Sequence, residues 1–340
     1  MKVAINYRRV EGPWGGGNRV VAAIEAALLA RGDHVVRALD DADIDIVLIV
    51  DPRRRNPQIT FTPGQALAYV ANVRPTCAIV HRINECDERK GTHTMNLRLR
   101  IANYCADHTV FVASWLKELS VWRRETDATV VLGGGDDTIF KRDAAASWDG
   151  QEPLRLVTHH WGAHPNKGLD VYRVLDAMLA TQEWRGRVRF THIGNRPRDA
   201  GLANVEWLAP LDGPPLAAAL AQNHAYLTAS IGEPSGNHHI EGALLGMPIL
   251  YRRSGGLPEY CAPYGIGFDA PQDFPDALRQ FMAAYKVLKP KMAEYPHTST
   301  KMAAQFLALF DRLAAQSEEI AKHRRPWRNP LVRLANMLPL

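Results

Sequence analysis

The 340-residue chain lacks any apolar run approaching the ~20 residues of a membrane-spanning helix, which excludes a helical integral membrane protein. It opens on MKVAINYRRV, a strand pattern with no apolar core ahead of a small-residue cleavage site. No secretory signal is expected, and the expected location is cytoplasmic. Cysteine is scarce: Cys77, Cys86, Cys105 and Cys261 are scattered, with no C-x-x-C, which argues against a disulfide frame and predicts reduced thiols. The Walker A pattern is missing. The dinucleotide fingerprint G-x-G-x-x-G fails too, because Gly15 and Gly17 are followed by Val20 at the third position. No basic stripe is interleaved with base-stacking aromatics, so nucleic acid is not an expected partner. No histidine pair sits four apart on an expected helix, so no metal is expected.

What is present describes an α/β protein. Short apolar strand patterns at 3–6, 45–50, 76–80, 109–112 and 129–132 alternate with helical patterns at 19–30, 65–72, 95–105 and 114–124. Asn18 stands where it would cap the first helix, and Gly32 marks its end. Small and polar residues at Asp143–Pro153 predict a linker. Strands at 154–158, 188–193, 225–228 and 248–251 then alternate with helices at 168–181, 215–222 and 238–245. Such alternation predicts two doubly wound parallel sheets, with residues 1–145 and 152–298 as Rossmann-like domains and ligands beyond the carboxyl ends of the strands. Met302, Phe306, Phe310 and Leu313 have helical spacing, so the C-terminal segment 300–340 is expected to join the first domain.

The net charge is +5 and the basic residues are clustered at Arg53–Arg55, Arg123–Arg124 and Lys322–Arg325. Two readings stand: solvated surface, or attraction to an anionic partner such as a phosphorylated substrate or a lipid surface. The 322–340 tail mixes basic residues with Trp327, Leu331 and Leu334, so it either packs back on the first domain or makes peripheral contact with an anionic membrane.

Four stretches could carry chemistry. Gly15-Gly16-Gly17-Asn18, between a strand and a helix, is either an anion-binding turn or simply a tight turn. HRINECDERKG, residues 81–91, follows a strand, and seven of its eleven residues ionise. HHWGAHPNKG, residues 159–168, also follows a strand and ends on Lys167, a cation able to neutralise a leaving group in a phosphate-binding cleft. EPSGNHHIEG, residues 233–242, opens a helix. There Glu233 could accept bonds from sugar hydroxyls, Glu241 could reach a diol, and the backbone amides of Asn237, His238 and His239 point outward. A metal held by the adjacent histidines, or an acid/base pair of Glu233 and Glu241, are the alternatives for this stretch.

The second half resembles the retaining family 4 glycosyltransferases of the GT-B fold. The resemblance rests on Glu233, seven residues, Glu241, then Gly246-Met247-Pro248 and Gly255-Gly256-Leu257-Pro258-Glu259, in that order and spacing. Lys167-Gly168 opening a helix, the N-terminal glycine loop and VLGGGDDTIF (131–140) extend it over about residues 1–320. It implies two Rossmann-like domains facing across a cleft, with the donor bound mainly by the second and the acceptor mainly by the first. By position, Glu233 would orient the donor sugar, Glu241 would hold the ribose, Ser235, Gly236, Asn237, His238 and His239 would meet the sugar and diphosphate, and Lys167 would stabilise the leaving group. Gly16 and Gly17 would approach the same diphosphate. His81 matches a histidine beside the transferred sugar, and Asn84, Glu85 and Asp87 would contact the acceptor. Two departures stand out. Trp161 occupies the position of a phosphate-binding Arg, for which Arg196 is a candidate substitute, and Pro234-Ser235 replaces a bulky residue.

The expectation is therefore a retaining, metal-independent glycosyltransferase that needs no cofactor. It would move a sugar from a nucleotide-diphosphate donor to a saccharide or lipid-linked acceptor, as in cell-surface glycan synthesis. A sugar-nucleotide hydrolase or epimerase, or a non-catalytic nucleotide-sugar-binding protein, are the competing readings.

Overall fold

The computed structural model describes residues 1–10, 16–197 and 200–324. Two units emerge, each built on a six-stranded, all-parallel sheet.

In unit 1 the strands β1 (Lys2–Ile5), β2 (His34–Val36), β3 (Ile46–Ile49), β4 (Ala78–Ile83), β5 (His108–Phe111) and β6 (Asp127–Val130) take the order β2-β1-β3-β4-β5-β6. Alternate residues feed opposite faces. Val3, Ile5 and Leu48 pack with α1 (Gly16–Ala30), whereas Ala4, Val47, Ile49 and Ile79 pack with α2 (Pro63–Asn72). Burial on both faces explains the near-continuous apolar strands. Thr62 and Gln65 close a capping box on α2 with Pro63 in its first turn, each residue suited to its place.

A single turn, α3 (Asp87–Lys90), precedes α4 (Met95–Asn103). Asp87 belongs to unit 1, but Glu88–Lys90 cluster with unit 2. The residues expected to form a helix at 114–124 instead form only a 3-10 turn at Ser114–Glu118. Asn18 lies inside α1, and its side chain clasps the Val10 backbone, donating to O at 2.7 Å and accepting from N at 2.9 Å, rather than capping the helix.

Unit 2 orders β7 (Leu154–His160), β8 (Val188–Gly194), β9 (Glu206–Leu208), β10 (Ala225–Thr228), β11 (Ile249–Arg252) and β12 (Gly265–Phe268) as β12-β11-β10-β7-β8-β9. Helices α5 (Leu169–Ala180), α6 (Gly213–Ala221), α7 (Asn237–Leu244), α8 (Leu257–Cys261) and α9 (Phe274–Lys291) flank it. The stretch expected to be a linker at 143–153 belongs to this unit. The division falls after Leu132, and Ala145, Ala146 and Trp148 bond to Leu245, Ala221 and Tyr285.

The chain then returns to unit 1 through α10 (Ser299–Ala315), whose Met302, Phe306, Phe310 and Leu313 join Val3, Ile5 and Val20 in one core, and through α11 (Ser317–His323). Arg324 ends the described chain in a buried bidentate pair with Asp107, at 2.9 and 2.7 Å. One of the tail's basic residues is therefore structural. The rest of the tail that motivated a membrane contact, from residue 325 on, lies outside the described residues, as does Gly15. No described helix is long and apolar enough to cross a membrane. All four cysteines are buried and none forms a disulfide, and burial pushes the Cys77 thiol up to about 12.

Candidate functional site

The chain leaves β7 to build β8 and β9 on one side, then crosses to build β10 on the other. The gap between the carboxyl ends of β7 and β10 is thus a topological switch point, where doubly wound sheets bind ligands. HHWGAHPNKG leaves β7 there, and EPSGNHHIEG follows β10 at the same edge.

Lys167 ends a 3-10 turn, Pro165–Lys167, whose start is capped by the His164 ring accepting from the Asn166 amide at 3.2 Å. Its ammonium bonds Glu233 Oε2, and the Arg89 guanidinium Nε lies 3.6 Å from Oε1. Glu233 is 3% exposed. Burial works to raise its pKa, but the charges of Lys167 and Arg89, with the Lys167 hydrogen bond, hold it at about 2. An ionised carboxylate is fixed at the strand edge. Its backbone is equally fixed. Gly256 N–H donates to Glu233 O at 2.8 Å, and a Cβ on Gly255, at φ +62°, would lie 2.5 Å from that oxygen. The first glycines of the Gly-Gly-x-x-Glu pattern therefore back the first glutamate. Gly255→Ala is expected to cost about 1–3 kcal/mol. The check is a drop of several degrees in Tm together with weaker nucleotide binding.

Gly236, at φ +75°, opens α7 without any side-chain cap, which leaves the first-turn amides of Asn237, His238 and His239 free of helix partners. The Asn237 Nδ2 donor is also without a hydrogen-bond partner. The histidine rings turn inward. His238 Nε2 meets Thr228 Oγ1 at 2.9 Å, its ring centroid lies 4.5 Å from that of His160, and His239 packs against Tyr260. Burial first, then neighbouring positive charge, keeps His160 and His238 neutral. Tyr260 also donates to Ser235 Oγ at 3.1 Å.

Glu241 is 1% exposed on α7, and its Oε2 meets His159 Nε2 at 3.0 Å, while His159 Nδ1 meets the Tyr226 hydroxyl at 3.0 Å. A carboxylate–imidazole–phenol chain thus runs from α7 to the core of the sheet. Glu241 stands out in the sequence as a candidate, but its link through His159 to Tyr226 does not. Among the described residues no group of three His, Cys, Asp or Glu is arranged to hold a metal ion.

Beside Lys167 lies a recess lined by His164, Tyr172, His192, Asn195 and Trp207. His192 Nδ1 and Trp207 Nε1 have no hydrogen-bond partner. No motif marks this recess, because its lining comes from three separate segments. Trp161 is exposed and holds Asn195 only through its carbonyl, at 2.6 Å. Arg196 stacks over Trp207, its guanidinium 5.2 Å from the ring centroid, and donates to Leu202 O at 3.4 Å.

The residues assigned to unit 1 are placed less uniformly. His81 lies within β4, not after it, and is fully buried. Its Nδ1 faces Asn103 Nδ2 at 3.3 Å, and burial drives its pKa to about 4 against the pull of Asp51. Asn84 is partly exposed and Glu85 buried. Asp87, expected to contact the acceptor, has its oxygens engaged within the chain. It accepts from Thr92 Oγ1 at 2.6 Å and from the Met95 and Asn96 amides at 2.8 and 3.0 Å, capping α4. Asp87→Ala is expected to cost about 1 kcal/mol in urea unfolding, the worth of a helix cap. Gly16 and Gly17 form the first turn of α1, and a Cβ on Gly17 would meet only ordinary contacts with Tyr7, so packing does not demand glycine there.

No family model and no curated protein matches the chain. Solved structures do. AviGT4, a glycosyltransferase involved in avilamycin A biosynthesis, shares a TM-score of 0.62 at 18% identity, over 93% of this chain and 98% of that one. Anabaena Alr3699/HepE in complex with UDP shares 0.66 at 12% identity, over 92% and 100%. The lipopolysaccharide outer core galactosyltransferase WaaB shares 0.61 at 14%, over 92% and 100%. Their likeness to this chain is one of fold: two parallel six-stranded sheets with flanking helices, the GT-B architecture.

Proposed function

We propose that the chain is a retaining, metal-independent glycosyltransferase using a nucleotide-diphosphate sugar. The observation that carries this is the Lys167–Glu233 pair beside the open first turn of α7, at the switch point of unit 2. A cation and free amides suit a diphosphate, and a fixed carboxylate suits sugar hydroxyls. In the reaction the acceptor oxygen bonds to the anomeric carbon on the face the diphosphate leaves. The carbon–oxygen bond to phosphate breaks, the diphosphate keeps the electron pair, and a phosphate oxygen takes the acceptor's proton. Lys167 stabilises the departing charge and Glu233 orients the sugar, so catalysis is positioning plus electrostatics. Glu241 is assigned to the ribose and the 235–239 turn to the diphosphate. The acceptor is assigned to unit 1 and is a saccharide or lipid-linked hydroxyl, of the kind elongated in cell-surface glycan synthesis.

A thermal-shift panel of UDP, GDP and ADP with their common sugar conjugates tests the donor, because ligand binding to the folded state raises Tm by mass action. The expected outcome is one nucleotide series standing clear of the others. Sugar release at full rate without any acceptor would replace this reading with a hydrolase, and a flat panel would end it.

A further inference from the structure

Three charges meet at the β7–β10 edge, but they are not equally accessible. The Glu233 side chain is 4% exposed, whereas Lys167 and Arg89 are 22% and 29% exposed. The carboxylate is the backing, and the two cations are what a ligand meets. Arg89 is also held in place. Its carbonyl accepts from Asn166 Nδ2 at 3.2 Å, one residue before Lys167, and Ile231 N–H donates to Asn166 O at 2.8 Å. Gly232, at φ +57°, would bring a Cβ within 2.7 Å of Glu88 O, so only glycine lets the Glu88–Lys90 segment lie this close to Glu233. The α7 turn is adjacent, since a Cβ on Gly236 would lie 3.0 Å from Glu233 Cγ. Neither Trp161 nor Arg196 supplies charge to this triad: the first is apolar, and the second is engaged with Trp207 and Leu202.

We propose that Arg89 is the second cation of the diphosphate site, acting beside Lys167 from a segment remote in sequence. This rests on the donor reading above and names the residue that completes it. The guanidinium presents a planar fork that matches two phosphate oxygens, whereas an ammonium acts as a point charge.

The test is calorimetric titration of the wild type, Arg89→Ala, Arg89→Lys and Lys167→Ala with UDP, GDP and ADP, the matched nucleosides, and pyrophosphate as a base-free probe. Circular dichroism and Tm of the unliganded variants establish folding. Arg89→Ala is expected to weaken the preferred nucleoside diphosphate by at least about tenfold, the worth of one charged hydrogen bond. Nucleoside affinity should stay unchanged, and Arg89→Lys, which keeps charge and fold, should fall between. If Lys167→Ala loses diphosphate affinity and both folded Arg89 variants keep it, Arg89 merely steadies Glu233 and the inference fails while the donor reading stands. If the wild type binds none of the three nucleotides, both fall.

Discussion

Lys167→Ala is expected to lower the rate of sugar transfer by about two to three orders of magnitude, the usual effect of removing one preorganised donor from a site of developing charge. The loss should appear mainly in kcat, because the diphosphate carries more charge when leaving than when bonded to sugar. Glu233→Ala should also abolish most turnover, but for a different reason. It removes the acceptor for sugar hydroxyls and leaves Lys167 and Arg89 without their shared carboxylate. The two variants therefore separate by binding. Lys167→Ala should weaken the free nucleoside diphosphate, whereas Glu233→Ala should weaken the nucleotide sugar relative to that diphosphate. Steady-state kinetics with product analysis by NMR reads rate and anomeric configuration together. Unchanged turnover in both variants would refute the assignment.

The second large effect is loss of stability in mild acid. Burial drives the pKa of His81 and His192 to about 4 and that of His239 to about 3. In the unfolded chain each titrates near 6.5. Below pH 6.5 the unfolded state takes up protons that the folded state refuses, so these groups favour folding above pH 6.5, and that advantage is lost as pH falls toward 4. Each contributes about 1.4 kcal/mol per pH unit over that window. Unit 2 carries His192 and His239, besides the neutral His160 and His238, and unit 1 carries His81 and His108, the latter also driven to about 4 by burial. Against a total stability of about 5–15 kcal/mol, the loss by pH 5 is a sizeable fraction. Urea titrations from pH 7.5 to 4.5 should show the midpoint falling steeply below 6.5. His192→Gln should flatten the slope. A midpoint constant down to pH 5 would contradict the burial of these rings.

Much of the architecture was legible. The central strand β3, IVLI, is an unbroken apolar run because both its faces are buried, and all nine strand patterns in the sequence have counterparts. The three strands without a sequence pattern, β2, β9 and β12, are sheet edges of three or four residues with mixed exposure, too short for a period to show. Helix α9 is not among the helical patterns either, although Phe274, Ala277, Leu278, Phe281, Tyr285 and Leu288 keep helical spacing. Its Pro290 lies in the last turn, beyond all six of these positions. The domain boundary was misplaced because the small and polar residues at 143–153 look like a linker but bond to unit 2 through their backbones, which no side-chain pattern records. At the site, Glu233, Glu241 and Lys167 were legible through motif order. Their partners Arg89, His159 and Tyr226 join by tertiary approach, and no spacing in the sequence announces that approach.

The return of α10 to unit 1 sets an order of events during synthesis. Val3, Ile5 and Val20 share their core with Met302, Phe306 and Phe310. The first unit to begin emerging from the ribosome is thus the last to be completed, while unit 2 has almost all of its chain beforehand. At about 5–20 residues per second, the interval between Leu132 and Phe306 is roughly nine to thirty-five seconds. For that time the apolar face shared with α1 lacks the cover of Met302, Phe306 and Phe310, and a chaperone able to shield it would raise the yield of active protein.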